Sequence, residues 1–201
     1  RDLVRSRGLG DVYKRQALAS AVGLLCAAIQ YEKVPVLRQI VAGYIELSRN
    51  TPLLIQLFFI YYGLPFFTNE QVMFRGNGGL WLAAIIVVSI NTGAYMAETV
   101  RGGILSIDPG QTEGAKAIGM THFQTMVNVI MPQALRNIMP QIGNNYIINV
   151  KDTSVMFIIG FTEFFASHRY IVGINNKYFP SAVIEMAGYL AMTLIASGIL
   201  R

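Results

Sequence analysis

Charge is scarce in this sequence and cysteine almost absent. Of its 201 residues only 13% are charged, about half the usual share of a soluble domain. The single cysteine, Cys26, has no partner in the chain, which excludes an intrachain disulfide and a multi-cysteine metal site. No redox compartment follows from it. Of the two histidines, His122 has no second His, Cys or carboxylate at ligand spacing, so it reads as a surface loop residue and no metal site is expected. No G-x-x-x-x-G-K-[ST] phosphate loop occurs, so the chain should hydrolyse no nucleotide alone. The +5 balance is spread along the connections with no basic helical face, and a nucleic-acid partner is not expected.

What the sequence does have is apolar length. Residues 76–97 and 50–69 contain no charge, and residues 179–200 contain only Glu185. A membrane-spanning helix needs about 20 mostly apolar residues. Three such windows in so short a chain predict an all-α integral membrane protein, not three buried core helices.

The order of segments suggests about five transmembrane helices. Residues 17–30 form a first, short apolar segment, followed by an amphipathic connection over 31–50. A second helix begins at Leu53, with Asn50 or Thr51 as cap and Pro52 in its first turn. It runs to about Tyr62, where Gly63 and Pro65 loosen the chain, and residues 68–79 read as a loop. The third span covers 80–100. A fourth, irregular span begins at Ile138 and is interrupted by Lys151, Asp152, Gly160 and Glu163. Residues 168–177 read as a polar loop and 179–200 as the fifth span. Residues 1–16, with five basic and two acidic side chains, read as a non-native or disordered stretch. The remainder, 17–201, reads as one transmembrane domain truncated at both ends.

If the connections alternate in side, Lys33, Arg38, Arg49, Arg101, Lys116 and Arg136 share one face. Only Arg75, Arg169 and Lys177 lie on the other. The excess of basic residues predicts that the first face is cytoplasmic.

That face carries the stretch EGAKAIGMTHFQTMVNVIMP, residues 113–132. A short, rigid projection made of helices joined at small residues suits docking to another protein. Glu113 suits the first turn of a helix begun near Gln111–Thr112, and Ala115 and Ala117 keep the surface low. Gly119 ends that helix, Thr121 caps the next, and Pro132 marks the return to the membrane. An ordinary amphipathic loop with no partner is the other reading of the same pattern.

The stretch resembles the EAA loop of permease subunits of ATP-binding-cassette (ABC) importers. Their pattern is Glu-Ala-Ala, three residues, Gly, nine residues, then Ile-x-Leu-Pro. Here Glu113-Gly114-Ala115, Gly119 and Val129-Ile130-Met131-Pro132 keep every spacing. The departures are Gly114, Val129 and Met131. Residues 46–65, 91–119 and 144–155 are similar to segments of the polar amino-acid permeases in that family.

The resemblance implies a multi-pass subunit of the cytoplasmic membrane that translocates polar amino acids by alternating access. It also implies three kinds of partner: a cytoplasmic ABC ATPase dimer, a second permease subunit and an extracellular or periplasmic solute-binding protein. ATP and Mg would sit on the ATPase; this chain would hold no cofactor and would not itself be an enzyme. The ATPase-coupling residues would be Glu113, Gly114, Ala115, Ala117, Gly119 and Pro132.

Polar groups inside spans are costly and therefore functional candidates. Asn91, Tyr95, Glu98 and Arg101 recur on one face of the third span, although Glu98 and Arg101 can also simply pair with each other. Asn144, Asn145, Asn149, Lys151, Asp152 and Ser154 follow on the fourth span, lining the pathway or stabilising a subunit contact. Glu163 suits an outer gate or an interfacial position. The aromatic residues Phe58, Phe59, Tyr61 and Tyr62 suit lipid packing. A stand-alone secondary transporter or channel is the main competing class, with Glu98, Asp152 and Glu163 relaying ions. Such a protein gives the 113–119 stretch no role, and no inverted repeat is detectable. A membrane enzyme lacks a nucleophile–base pair to carry it.

Overall fold

A computed structural model describes residues 18–68, 74 and 76–200, and all regular structure among them is helical. The expectation for residues 1–16 lies outside the described residues. The helices are α1 (Leu18–Tyr31), α2 (Leu37–Asn50), α3 (Leu53–Phe58), α4 (Leu64–Thr68), α5 (Gly76–Leu105), α6 (Pro109–Ala117), α7 (His122–Thr125), α8 (Met131–Asp152), α9 (Phe164–Asn175) and α10 (Tyr178–Leu200).

Two helices, α5 and α10, are long and apolar enough to cross a membrane. Two further pairs pass when each is taken as one bent element: α2 with α3–α4, bent by 112°, and α7–α8 with α9, bent by 52°. Among the described residues two to four candidate spans therefore stand in the expected order, with the shorter apolar α1 ahead of them. At about 1.5 Å per residue the 30 residues of α5 extend about 45 Å. That exceeds a bilayer core of about 30 Å, and the helix runs on to Leu105, past the expected end at residue 100.

α5 is the hub of the bundle. Of its apolar window 61% is buried inside the chain, whereas none of the α10 window is. Three clusters of buried side chains surround α5. Leu57, Ile60 and Met156 pack on Ala83, Ala84 and Val87, while Val41 and Ile45 pack on Ala94 and Ala97. At its far end Ala134 and Ile138 of α8 meet Met96, Val100 and Ile104. A side chain on Gly103 would strike Cγ2 of Ile138, so α5 and α8 approach as closely as they do only with glycine there.

These contacts revise the second span. α2 lies beside the C-terminal half of α5 and α3 beside its N-terminal half. Residues 37–50 are therefore not a connection but one limb of a broken helix, and the break falls beside the middle of α5. Pro52 takes the N-cap position of α3 without a side-chain cap, and Thr51 is extended. In lipid the carbonyls freed by a break need partners. Here the Thr51 hydroxyl donates to Leu47 O (2.6 Å), and the Gln56 amide donates to Ser48 O (2.7 Å) and Thr51 O (2.9 Å).

Gly63–Pro65 does not end the second element as expected. A π turn over Phe59–Gly63 widens the helix, Leu64 N–H reaches back to Phe59 O, and Pro65 follows at once. The same device recurs before Pro132. A π turn over Met126–Ile130 closes with Met131 N–H on Met126 O, and the helix runs on through the proline. A widened turn makes room for the proline ring, which would otherwise clash with a carbonyl one turn back.

After Asp152 the fourth span tightens to a 3₁₀ helix over Thr153–Ile159, and Gly160 ends it at φ 84°. The irregularity expected there is present. The polar loop expected at 168–177 is instead α9. Its N-cap is Glu163, which accepts from the backbone N–H groups of Phe165 (2.8 Å) and Ala166 (2.6 Å) and from the Tyr189 hydroxyl (3.2 Å). His168 turns inward, with Nδ1 2.7 Å from the Glu185 carboxylate, the only charge in α10. Of the polar residues in this stretch His168 is the one that meets a neighbouring helix; Arg169, Tyr170, Asn175, Asn176 and Lys177 are exposed.

Gln56→Ala should lower the melting temperature in detergent by removing the tie across the break. The expected cost is about 1–3 kcal/mol for carbonyls left without a donor. Gln39→Ala, exposed on the same broken element, should change stability by less than about 0.5 kcal/mol.

Candidate functional site

The break in the second span, the middle of α5 and the C-terminal half of α8 enclose a cavity of about 490 Å³. That volume suits a small ligand. The break contributes Arg49, Asn50, Thr51, Pro52 and Leu53; α5 contributes Asn91, Thr92 and Tyr95; α8 contributes Asn145, Ile148, Asn149 and Asp152. One guanidinium, one carboxylate and four side-chain amides thus face a single space.

The polar side chains are held in place by the same groups that satisfy the break. Asn91 Nδ2 donates to Ser48 O and to Gln56 Oε1, each at 3.3 Å. Thr92 Oγ1 donates to Asn149 Oδ1 (3.1 Å), joining α5 to α8. Asn145 accepts from Gln141 Nε2 (3.1 Å), but its own Nδ2 is buried with no partner. A buried donor left open calls for an explanation, and a ligand acceptor inside the cavity supplies one. The Arg49 guanidinium lies 5.8 Å from the centre of the Tyr95 ring, within cation–π range.

Five of the residues expected on the pathway therefore meet: Asn91, Tyr95, Asn145, Asn149 and Asp152. Glu98 lies one turn further along α5 and pairs with Arg101 at 2.5 Å, as one of its two readings anticipated. Lys151 and Ser154 do not line the cavity; Lys151 is exposed and Ser154 is hydrogen-bonded with Tyr189. Thr92 and Gln56 were not singled out in the sequence, and Arg49 and Thr51 were read there only as an orienting charge and a helix cap. The signal for Gln56 was present, a lone amide in the run LLIQLFF. No group of His, Cys, Asp and Glu among the described residues is placed to hold a metal ion.

The second feature is the projection between α5 and α8. α6 starts earlier than expected: Asp108 is its N-cap, accepting from Gly110 N–H (2.7 Å), with Pro109 in the first turn. Glu113 consequently lies in the second turn, not the first. Gly119 does end the helix, at φ 83°. Its N–H reaches Lys116 O (2.9 Å) and that of Met120 reaches Ala115 O (3.1 Å), the paired closure that a left-handed glycine permits. Thr121 then caps α7 with Gln124 in a reciprocal box: Gln124 N–H donates to Thr121 Oγ1 and Thr121 N–H to Gln124 Oε1. Ala115 is buried and holds α6 down, while Glu113, Gly114, Ala117 and Gly119 face outward. Pro132 lies inside the continuous helix that follows, not at a boundary.

The two caps leave Ile118 and Phe123 at 80% and 74% exposure. The projection is thus stiff, compact and tipped with apolar side chains. His122 meets Glu32 at 2.9 Å, so the corner between α1 and α2 lies at the same end of the molecule.

Residues 19–201 match the family described as the binding-protein-dependent transport system inner membrane component. The chain belongs to this family. It is 40% identical over 175 residues to a probable amino-acid permease protein, YxeN, of Bacillus subtilis, covering 87% of this chain and 76% of that one. It is 37% identical over 158 residues to the glutamine transport system permease protein GlnP of Escherichia coli, covering 79% and 70%. Among solved structures it superposes on an amino acid ABC transporter crystallised with histidines, with a TM-score of 0.83 at 35% identity. That match covers 96% of this chain and 86% of the other. An inward-facing MetNI methionine ABC transporter shares the fold, with a TM-score of 0.72 at 18% identity, covering 99% and 94%. This is a membrane protein with the fold of an ABC-importer permease.

Asn145→Leu separates a structural role from a ligand-binding one. Leucine removes the unpartnered donor and also the acceptor of Gln141 Nε2, but Gln141 is exposed and its amide can turn to other partners, so the unfolding free energy should change by no more than about 1 kcal/mol. Transport should fall about tenfold if that donor meets the cargo, the effect of one lost hydrogen bond of about 1.4 kcal/mol. Calorimetry in detergent and flux through reconstituted vesicles measure the two.

Proposed function

We propose that this chain is a permease subunit of an ATP-driven importer that carries polar amino acids through the cytoplasmic membrane. Two permease subunits form the pathway, a solute-binding protein delivers the amino acid from outside, and two cytoplasmic ATPase subunits drive alternating access. ATP and Mg belong to the ATPases, and this chain carries out no chemical step. The observation that carries the reading is the capped projection over residues 108–125. Its EAA spacing is complete, Glu113 and Gly119 face outward, and Ile118 and Phe123 are uncovered. A self-contained transporter has no use for such a projection.

The cavity supports the cargo class. A zwitterion needs a cation for its carboxylate and an anion for its ammonium, and Arg49 and Asp152 face the same space. The amides of Asn91, Asn145 and Asn149 suit a polar side chain. Relatives named for amino-acid and glutamine transport agree with this chemistry. Arg49 lines the central cavity and drops out of the basic count; the orientation follows from Lys33, Arg38, Arg101, Lys116 and Arg136, together with the Glu32–His122 contact that joins the first basic corner to the projection.

The test is co-purification of the intact permease with its ATPase, parent against Glu113→Lys. Capture by the parent and loss in the variant are expected, with membrane insertion equal in both. Absence of any ATPase from the parent would remove the importer reading and favour a self-contained transporter.

A further inference from the structure

A second cavity, of about 510 Å³, lies beyond Glu98 along α5. Lys33, Arg38, Arg101, Leu105 and the pair Glu32–His122 line it. The two cavities share one face of α5: Asn91 and Tyr95 touch the first, Arg101 and Leu105 the second. The steps from 91 through 95, 98, 101 and 105 are all three or four residues, which keeps these side chains in one row. Glu98 stands between the two spaces and lines neither. Its carboxylate is held from both sides, by Arg101 of the second cavity at 2.5 Å and by Arg49 of the first at 3.8 Å.

We infer that Arg49, Glu98 and Arg101 form the inner gate of the translocation pathway, and that the second cavity is the vestibule through which a carboxylate-bearing cargo leaves. The three side chains remain 33–42% exposed. An ion network so open to solvent contributes little to folding and breaks at small cost, which is what a gate requires. Cargo chemistry supplies the trigger. A cargo carboxylate in the first cavity competes with Glu98 for Arg49, whose hold on Glu98 is the longer of the two. Once Glu98 swings to Arg101 alone, the row is open. Beyond it, Lys33 and Arg38 make no ion pair among the described residues, while the Glu32 carboxylate is occupied by His122. The vestibule thus offers an anion a weak, exchangeable stop before release.

The identity of the cargo rests on the importer reading above; the gate does not. The experiment uses the whole transporter in membrane vesicles without nucleotide. Cys26→Ser removes the native thiol, and Ile148→Cys places a reporter in the first cavity, away from the gate. A membrane-impermeant maleimide is applied from the face carrying Lys33 and Arg38, then from the other. Glu98→Gln and Arg49→Gln should each raise the labelling rate from the first face about fivefold, the shift expected on losing a partly exposed ion network. Labelling from the opposite face should not change. Glu46→Gln, an exposed α2 carboxylate outside the network, should leave both rates as in the parent.

Unchanged labelling in both gate variants overturns the inference. So does a rise that extends to Ala94→Cys, a fully buried position on the same helix, because that reports a loosened bundle and not an opened gate. Labelling reads the gate whether or not an ATPase is ever captured, so failure of the gate and failure of the importer reading are seen separately.

Discussion

Inside a bilayer no water is available to receive the carbonyls that a broken helix exposes, and in this chain the Gln56 side chain takes that place. Its amide nitrogen closes the carbonyls of Ser48 and Thr51, and its amide oxygen receives Asn91 from α5. One side chain therefore stabilises the break and fixes the break against the central helix. Without the break, α2–α4 would pack as a continuous cylinder, and the space now lined by Asn50, Asn91 and Asn149 would be filled. A polar cavity beside the middle of α5 is the consequence of irregular backbone that has found its partners within the protein.

α5 joins that cavity to the opposite end of the molecule. Its small residues let α1, α2, α3 and α8 approach from several sides, so it moves only if its neighbours move with it. At its middle its face carries the cavity; at its C-terminal end it leads directly into the capped projection of α6 and α7. The projection is stiff because both of its turns are closed, one by Gly119 in the left-handed region and one by the Thr121–Gln124 box. A force applied to Ile118 and Phe123 would therefore reach α5 and α8 without being absorbed in a loop. Membership of the transport family gives this mechanical layout a purpose.

Much of this was legible in the sequence, and for identifiable reasons. Charge-free windows predict helices in lipid whatever their neighbours, so α5 and α10 follow from composition alone. Gly119 and Thr121 are local signals, since a left-handed turn and an N-cap depend on a few adjacent residues. The cavity residues on α5 and α8 stood out because amides inside apolar runs are costly. What stayed hidden depends on contacts distant in sequence. Residues 37–50 look like an amphipathic connection because one face packs on α5 and the other does not. Residues 168–177 look like a loop because the inward partner of His168 is Glu185, seventeen positions later. Pro65 and Pro132 look like breakers because a π turn, which leaves no clear local signature, precedes each of them. Glu113 was placed one turn too early because the helix was started near Gln111–Thr112, whereas Asp108 caps it and Pro109 opens it.

Under the proposed function the break, the hub helix and the projection form a machine that moves cargo only when a partner ATPase drives it. ATP-driven uptake of a labelled polar amino acid, in vesicles holding the permease with its ATPase and binding protein, tests that most directly. The account predicts accumulation against a gradient that requires ATP hydrolysis and persists when the proton gradient is dissipated. Accumulation that proceeds without ATP, or that collapses with the proton gradient, would contradict it.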